Sequence, residues 1–328
     1  MNAVVVNSNM LLNISGLRIA FEQRGHLSEV LHGVDLQIAA GESIGLVGES
    51  GCGKSITWLG VLGLLGQHTR ITGSVKYQGR ELLGLSDTEL SQIRGRKIAM
   101  IFQDPSSSLN PAQRIGAQIA ESLALHRGLR GAQATAEVIA LLDHVEIPEA
   151  KRRMAAYPHE LSGGMNQRVM IAMALAGQPD LLIADEPTTA LDATVQAQIL
   201  QLLDTLRRDT GMALVTISHD LGVISEISDR VLVMYAGSIV ESAPSQTLFH
   251  EAQHPYSLGL LAAMPTFNIE MHQLTTIRGS IPQAGQLIQG CSFESRCDFA
   301  QDNCRVVAPR LRPIALGHEL ACTRKLAA

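Results

Sequence analysis

Eight residues in the first fifth of the chain have the composition and spacing of a phosphate-binding loop. The segment GESGCGKS covers Gly48–Ser55, and its glycines let the backbone curl so that N–H groups point at the phosphates of a nucleotide. Lys54 can reach the β- and γ-phosphates, and the Ser55 hydroxyl can ligate Mg²⁺. The residues assigned to this loop are Gly48, Glu49, Ser50, Gly51, Cys52, Gly53, Lys54 and Ser55. The sequence therefore predicts a site for a nucleoside triphosphate.

A pair of carboxylates at the end of an apolar run is the second candidate for chemistry. Asp185 and Glu186 follow Leu181–Ala184, and a strand beside the phosphate loop would bring Asp185 to Mg²⁺ and Glu186 to the γ-phosphate. Such a metal neutralises charge on the phosphoryl group, and a carboxylate orients the attacking water. Taken alone, Asp-Glu-Pro is also ordinary turn chemistry. Its position downstream of the phosphate loop favours the catalytic interpretation.

Other polar residues follow predicted strands or open a predicted helix. Gln103 ends the apolar strand Ile98–Phe102, where it can contact Mg²⁺ or the attacking water. His219 follows the strand Ala213–Ile217, so that its imidazole can donate a hydrogen bond to the γ-phosphate. Ser162–Gly164 open a helix whose free N–H groups suit a phosphate. All of these residues are therefore candidates for nucleotide chemistry.

Strands and helices alternate around these candidates. The apolar strand Ser43–Val47 leads into the phosphate loop, and Lys54–Leu65 is predicted as the helix that follows it. Later strands, including Val231–Tyr235, are separated by helical patterns, which predicts a mostly parallel sheet in an α/β protein. The alternating apolar pattern near the N-terminus predicts half-buried strands, and residues 105–177 are predicted to form an inserted helical subdomain.

Composition excludes several classes of protein. The 328 residues are 46% hydrophobic, with a formal net charge of −5, which argues against a nucleic-acid binder held by phosphate contacts. No apolar run approaches the roughly 18 residues needed to span a bilayer, and the N-terminus lacks the features of a secretory signal. We expect a cytosolic chain, or one attached to a membrane through partners.

The order of these motifs resembles that of ATP-binding cassette (ABC) transporter ATPases over about residues 10–250. The motif that identifies the family is LSGGMNQ at Leu161–Gln167, which is similar to the family's signature sequence. The signature most often has Gln directly after the two glycines, whereas here Met165 and Asn166 lie between Gly164 and Gln167. In that family the signature of one subunit closes over ATP held by the other. The resemblance therefore implies a dimer in which Ser162, Gly163 and Gly164 contact the partner's nucleotide.

The resemblance also implies a fold and a set of roles. The fold would be that of a P-loop NTPase (RecA-like), with an N-terminal antiparallel β subdomain, an inserted helical subdomain and a C-terminal extension. Glu186 would be the catalytic carboxylate, assisted by the Q-loop Gln103 and the switch His219, while Asp185 would hold Mg²⁺. Ala190–Asp192 resembles the D-loop. Phe21 is the candidate for stacking on adenine, and it is equally compatible with a place in the core.

Two segments narrow the resemblance to the ATPases of oligopeptide, dipeptide and nickel importers. They are Gln103–Pro111 and the stretch from His254 through Tyr256 to Pro265. The implied function is ATP-driven uptake of di- or oligopeptides, with nickel or opine-like chelates as the alternative cargo and a soluble non-transport ABC ATPase as the weaker alternative. The implied partners are a second ATPase subunit (a paralogue or a second copy), two membrane permease subunits and a separate substrate-binding protein, with no nucleic acid. The expected location is peripheral, at the cytoplasmic face of the inner membrane.

The C-terminal region contains four of the five cysteines. Cys291, Cys297, Cys304 and Cys322 follow the spacing C-x5-C-x6-C-x17-C, which lacks the paired hooks typical of structural zinc. Zinc, an iron–sulfur cluster and unligated thiols are all compatible with the spacing, and the resemblance to peptide importers implies a [4Fe–4S] cluster with a structural or regulatory role. The fifth, Cys52, is either a thiol with a lowered pKa at a helix start or a small space-filling residue.

These patterns predict two domains. The ABC nucleotide-binding domain is expected to cover residues 10–253, with its helical subdomain at about 105–177. The cysteine-containing extension is expected to cover residues 254–328.

Overall fold

The computed structural model describes residues 9–23, 25–104, 108–188, 191–264, 277–282, 285–286 and 288–324. They form two compact units. Unit 1 contains the described residues up to Ile38, then Ser43–Gly84 and those from Ser218 onward, while unit 2 contains Ala39–Glu42 and Leu85–Ile217. Parts of the motifs quoted above, Pro105, Ser106, Ser107, Ala190 and Pro265, lie outside the described residues.

The strands are numbered in chain order. They are β1 (Met10–Gln23), β2 (His26–Ala39), β3 (Ser43–Val47), β4 (Thr69–Tyr77), β5 (Arg80–Glu81), β6 (Ile98–Ile101), β7 (Leu181–Asp185), β8 (Ala213–Ser218), β9 (Arg230–Tyr235), β10 (Ser238–Pro244), β11 (Arg312–Ala315) and β12 (His318–Leu320).

The helices are numbered in the same way. They are α1 (Lys54–Val61), α2 (Asp87–Ser91), α3 (Ile115–Arg127), α4 (Gly131–His144), α5 (Ala150–Arg153), α6 (Gly163–Leu175), α7 (Ala193–Thr210), α8 (Leu221–Ile227), α9 (Ser245–Glu251) and α10 (Pro255–Ala262). Short 3-10 turns cover Pro158–Glu160, Glu294–Arg296 and Asp302–Arg305.

An N-terminal sheet in unit 1 has the strand order β2-β1-β4-β5. β4 runs antiparallel to both β1 and β5. Alternate side chains of β1, such as Leu12 and Ile14, are buried, because successive residues of a strand point to opposite faces. The predicted antiparallel subdomain is therefore confirmed.

The remaining strands of unit 1 combine parallel and antiparallel pairs. β3 pairs in parallel with β9, and β9, β10, β12 and β11 continue as antiparallel neighbours. The sequence predicted a mostly parallel sheet and did not identify the strands β10, β11 and β12, which pair antiparallel. β9 and β10 are joined at Ala236 and Gly237, which both have positive φ (43° and 76°), as a tight type I′ hairpin requires.

A fully buried carboxylate ties the C-terminal hairpin to β10. Glu241 is 0% exposed and accepts hydrogen bonds from the backbone N–H groups of Gln253 and His254 and from Nε2 of His318 (2.8 Å). A buried charge is tolerated only when it is paired in this way. Glu241 therefore fixes β12 and the start of α10 to the same strand.

Unit 2 places three parallel strands against the helical region. β6, β7 and β8 pair in parallel, with Ile101 opposite Ala184 and Asp185 opposite Ile217. Apolar side chains of α3, α4 and α6, such as Ile119, Val138 and Ile171, are buried in a core shared with these strands. The predicted α/β architecture with a helical region is therefore confirmed.

The helix after the phosphate loop is shorter than predicted. The apolar pattern predicted helix to Leu65, but α1 ends at Val61. Gly63 adopts a positive φ of 61°, and the N–H of Leu64 donates to the carbonyl of Leu59, which is the hydrogen bond of a Schellman motif. The glycine thus ends the helix although apolar residues continue past it.

Candidate functional site

The phosphate loop of unit 1 connects β3 to α1. Gly53 precedes the helix with a φ of 108°, and a Cβ atom there would lie 2.6 Å from Cδ2 of Leu31. Glycine is therefore required at this position both by conformation and by space. Gly48 is also constrained, because a Cβ atom would clash with the carbonyl oxygen of Met234. The backbone of the loop is thus held against neighbouring residues of unit 1.

Lys54 extends its buried side chain back over the loop. The residue is 5% exposed, and Nζ donates hydrogen bonds to the carbonyls of Gly48 (2.7 Å) and Glu49 (3.0 Å). No acidic residue occupies the first turn of α1, so the positive end of the helix dipole is left uncompensated by side chains of that turn. The arrangement is suited to binding phosphate.

Cys52 is buried between these groups, with 1% exposure. Burial raises the pKa of its thiol, and this effect outweighs the lowering by the nearby Lys54 cation. The interpretation of Cys52 as a thiol with a lowered pKa is therefore wrong, because burial removes the thiol from water. The space-filling interpretation agrees with the structure.

Glu49 links the loop to the C-terminal region, which sequence reasoning missed. Its backbone N–H donates to Oη of Tyr256 at 2.8 Å. Its carboxylate accepts two hydrogen bonds from Arg296, at 2.6 and 2.9 Å. The partners lie more than 200 residues along the chain, so no local pattern could have identified them.

Unit 2 brings Gln103 and Glu186 together. Nε2 of Gln103 donates to Oε2 of Glu186 at 2.8 Å, and the backbone N–H of Glu186 donates to the carbonyl of Ile217 at 3.0 Å. Glu186 has a φ of 47°, which is uncommon for a residue with a side chain and is typical of functional sites. Asp185 ends β7 with 7% exposure. Two consecutive carboxylates therefore lie at the end of a buried strand, and the second of them is bonded to the Gln103 amide.

The signature segment forms a capped helix start. The Ser162 hydroxyl accepts a hydrogen bond from the N–H of Met165 at 3.3 Å, and Gly163 and Gly164 are the first residues of α6. Ser162 and Gly163 are exposed. The predicted helix start is therefore present, and its N-terminus is exposed.

The other predicted residues occupy separate positions. His219 is exposed directly after β8, and Phe21 is half-buried in β1 opposite Thr69. Asp192, from the D-loop segment, caps α7 by accepting hydrogen bonds from the N–H groups of Thr194 and Val195. Phe21 and His219 belong to unit 1 with the phosphate loop, and Asp192 belongs to unit 2.

The four C-terminal cysteines line one small cavity in unit 1, together with Phe293. Burial, helped by the charges of the other three thiols, raises the pKa of Cys291 to about 11. The structure therefore gathers the predicted ligands around one space. Across the described ranges, no three or more His, Cys, Asp or Glu residues form a group that could hold a metal ion.

The strand–loop–helix arrangement, with parallel strands and a helical region, defines the class of P-loop nucleotide-binding cassettes. Comparison with known sequences specifies the class further. A profile described as ABC transporter matches residues 31–189, and one described as oligopeptide/dipeptide transporter, C-terminal region, matches residues 240–304.

Similar proteins cover almost the whole chain. The oligopeptide transport ATP-binding protein OppD of Salmonella typhimurium is 48% identical over 315 residues, which are 96% of this chain and 94% of that protein. OppD of Escherichia coli is 47% identical over 315 residues, with coverage of 96% and 93%. Among solved structures, a dimeric ATP-binding cassette in a post-hydrolysis state, bound to ADP and Pi, matches with a TM-score of 0.64 and 28% identity over 72% of this chain and 99% of that one.

The chain therefore belongs to the ABC transporter ATP-binding proteins of the oligopeptide/dipeptide family. The predicted family, fold and ABC transporter ATPase activity are confirmed. Among the described residues, no helix is long and apolar enough to cross a membrane.

Proposed function

We propose that this chain couples ATP binding and hydrolysis, in a dimer of nucleotide-binding domains, to the uptake of di- or oligopeptides through membrane permease subunits. The observation that carries the proposal is the similarity to oligopeptide transport ATP-binding proteins over 96% of the chain, including the extension. A cassette match alone would be equally compatible with other ABC transporters. The similarity to oligopeptide transport proteins over the whole chain, rather than the extension by itself, favours peptide cargo over the nickel or opine-like alternative.

The proposed roles follow the motif order. Ser55 and Asp185, with Gln103, offer the hard oxygen ligands that suit Mg²⁺, which would supply charge neutralisation at the phosphates. Lys54 binds the β- and γ-phosphates, and Glu186 orients and activates the attacking water. The hydrogen bond from Gln103 at 2.8 Å supports this role, because it fixes the Glu186 carboxylate.

The remaining groups would complete a shared nucleotide site. His219 would donate a hydrogen bond to the γ-phosphate, and Phe21 would stack on adenine. Ser162, Gly163 and Gly164 would contact the nucleotide bound by the partner cassette. The exposure of Ser162 and Gly163 at the start of α6 supports this contact, because free N–H groups there favour an anion.

The proposed assembly has several members. A second ATPase subunit, either a paralogue or another copy of this chain, would complete the cassette dimer at the cytoplasmic face of the inner membrane. Two permease subunits would carry the cargo, and a separate binding protein would deliver it. Within this assembly we assign residues 10–253 to the nucleotide-binding domain, residues 105–177 to its helical subdomain and residues 254–328 to the extension.

Reconstitution tests the proposed cargo. The chain, its partner ATPase and the permease subunits are placed in proteoliposomes with the binding protein, and ATP hydrolysis and uptake are measured. We expect oligopeptides to stimulate both, because cargo delivery promotes cassette closure, whereas nickel chelates supplied under identical conditions should stimulate neither. Stimulation by nickel chelates without any response to peptides would contradict peptide import.

We further assign the four C-terminal cysteines as ligands of a [4Fe–4S] cluster. Their shared cavity supports this assignment, as does the chemistry of four thiolates, which are the usual ligands of such clusters. A cluster of several atoms needs its ligands more widely spaced than a single ion does. The raised pKa of Cys291 indicates that deprotonation of this thiol would have to accompany metal binding.

Chemical analysis of anaerobically purified protein tests the cluster. We expect about four iron and four acid-labile sulfide per chain, with a broad visible absorption band that disappears on oxidation. Cys304→Ser should reduce the iron content strongly because it removes a ligand. Cys52→Ser is the matched control, since its thiol lies in the phosphate loop, and its iron content should equal that of the wild type. Bound zinc without sulfide, or equal iron in both variants, would contradict the assignment.

A further inference from the structure

Arg296 is a buried arginine in the cysteine-containing region. It ends the 3-10 turn Glu294–Arg296, directly before Cys297, and its side chain is 4% exposed. Its Nε donates to the carbonyl of Arg278 at 2.7 Å, and its guanidinium carbon lies 5.7 Å from the centre of the Tyr235 ring. The guanidinium is therefore held in one orientation by backbone and aromatic contacts.

The charged end of Arg296 is directed at the phosphate loop. Both of its terminal nitrogens donate to the Glu49 carboxylate, at 2.6 and 2.9 Å. This bidentate arrangement is the strongest form of an arginine–carboxylate pair. The extension thus contacts the second residue of the loop through a paired charge.

Glu49 also contacts Lys54 and Tyr256. Its carbonyl accepts a hydrogen bond from Nζ of Lys54 at 3.0 Å, and its N–H donates to Oη of Tyr256 at 2.8 Å. Tyr256 packs on Tyr235 and Phe293, with ring centroids 4.6 and 5.4 Å away. Glu49 is therefore held through its backbone as well as through its carboxylate. The two residues outside the loop that hold it, Tyr256 and Arg296, both belong to the C-terminal half of unit 1.

The charge of Glu49 is unfavourable for the activity of the loop. A carboxylate in a segment that binds a polyphosphate repels the ligand, and this repulsion is strong where water is partly excluded. The glutamate side chain is about one-third exposed (30%), so solvent alone screens it incompletely. A cation that pairs with it removes the repulsion and keeps the carboxylate turned towards the extension.

We infer that Arg296 is a positioning residue for nucleotide binding, which neutralises Glu49 and holds the phosphate loop in its binding conformation. The affinity of the cassette for ATP then depends on the C-terminal extension. The inference rests on ATP binding by the phosphate loop, and titration of the wild-type chain tests that premise separately.

Titration of the purified full chain with a fluorescent ATP analogue and Mg²⁺ tests the inference. We expect Arg296→Met to raise the Kd about tenfold, because it leaves an unpaired carboxylate on the phosphate loop. Arg296→Lys keeps the charge but loses the bidentate geometry, and its Kd should fall between those of Arg296→Met and the wild type. Arg305→Met is the matched control. Arg305 pairs with Glu294 in the same region at 3.0 Å, without contacting the loop, so its Kd should be unchanged.

A double variant separates charge neutralisation from general stabilisation of the fold. Glu49→Gln in the Arg296→Met background removes the unpaired carboxylate, and we expect the Kd to return to within about threefold of the wild-type value. Thermal unfolding establishes that each variant is folded, and if Arg296→Met alone does not fold, Arg296→Lys and the double variant provide the comparison. A Kd for Arg296→Met or Arg296→Lys equal to that of the wild type, or a double variant as weak as Arg296→Met, would overturn the inference.

Discussion

Replacing Glu186 with glutamine is expected to leave ATP bound and to lower the turnover number at least about a hundredfold, the usual range for loss of a general base. The carboxylate can accept a proton from the attacking water, and an amide cannot. Glutamine has the same shape and retains a carbonyl oxygen that can accept the hydrogen bond from Nε2 of Gln103. The substitution therefore removes the proposed base while conserving its surroundings. The rate is measured as phosphate release by the assembled transporter.

The same variant should accumulate ATP in the cassette dimer. Without hydrolysis the closed dimer is not reset, so nucleotide extracted from the purified complex should be ATP, whereas the wild type should release ADP. Glu251→Gln, at an exposed position at the end of α9, is the matched control and should hydrolyse ATP at the wild-type rate. Near-normal hydrolysis by Glu186→Gln would refute its assignment as the catalytic carboxylate.

The sequence did not indicate the backbone conformation of Glu186. Its φ of 47° places the side chain beyond the end of β7, where it meets Gln103. The pair was predicted only as two residues following separate strands, because a sequence shows where strands end and not which ends are adjacent. Their contact depends on the parallel pairing of β6 with β7. The alternation of helices and strands predicted parallel strands, but not that these two are neighbours.

Local signals account for most of what the sequence revealed. The phosphate loop and the start of α6 were predicted because glycine and serine have specific conformational and capping properties at a helix start. Helix α7 was predicted only as a helical pattern without bounds, although Asp192 caps its N-terminus and Gly211 ends it with a φ of 70°, so the capping signals that define its limits were present in the sequence. The limit of α1 was missed for a similar reason, since the apolar pattern was given more weight than Gly63.

Long-range contacts account for the rest. Arg296 is an arginine among several in a cysteine-rich segment, and nothing near it in sequence indicates that its partner is Glu49. The buried cluster of Glu241 with His318 also joins residues 77 positions apart. Such contacts form only where the tertiary structure brings distant parts of the backbone together, so the local sequence does not reveal them.

Removal of the Lys54 side chain is expected to weaken ATP binding by about ten- to a hundredfold, the loss that accompanies one charge-assisted hydrogen bond. Nζ is the cation of the loop that can reach the β- and γ-phosphates. In Lys54→Ala the carbonyls of Gly48 and Glu49, which Nζ contacts at 2.7 and 3.0 Å, also lose their donor. The Kd is measured by titration with a fluorescent ATP analogue, and Lys76→Ala, at an exposed position in β4, should bind like the wild type.

Thermal unfolding distinguishes loss of a phosphate contact from loss of the fold. A ligand that binds only the folded state raises the melting temperature, and at a fixed concentration it does so more the lower its Kd, so ATP should stabilise the wild type and Lys76→Ala more than Lys54→Ala. Without nucleotide, Lys54→Ala should melt somewhat below the wild-type temperature, because the carbonyls of Gly48 and Glu49 lose their donor, but it should still fold because no unpaired charge is left behind. An equal stabilisation by ATP in all three proteins would contradict the role of Lys54. A Lys54→Ala protein that is already unfolded would instead show that the loop depends on Nζ for its conformation, and Lys54→Arg, which keeps the charge with a different geometry, would then measure the phosphate contact alone.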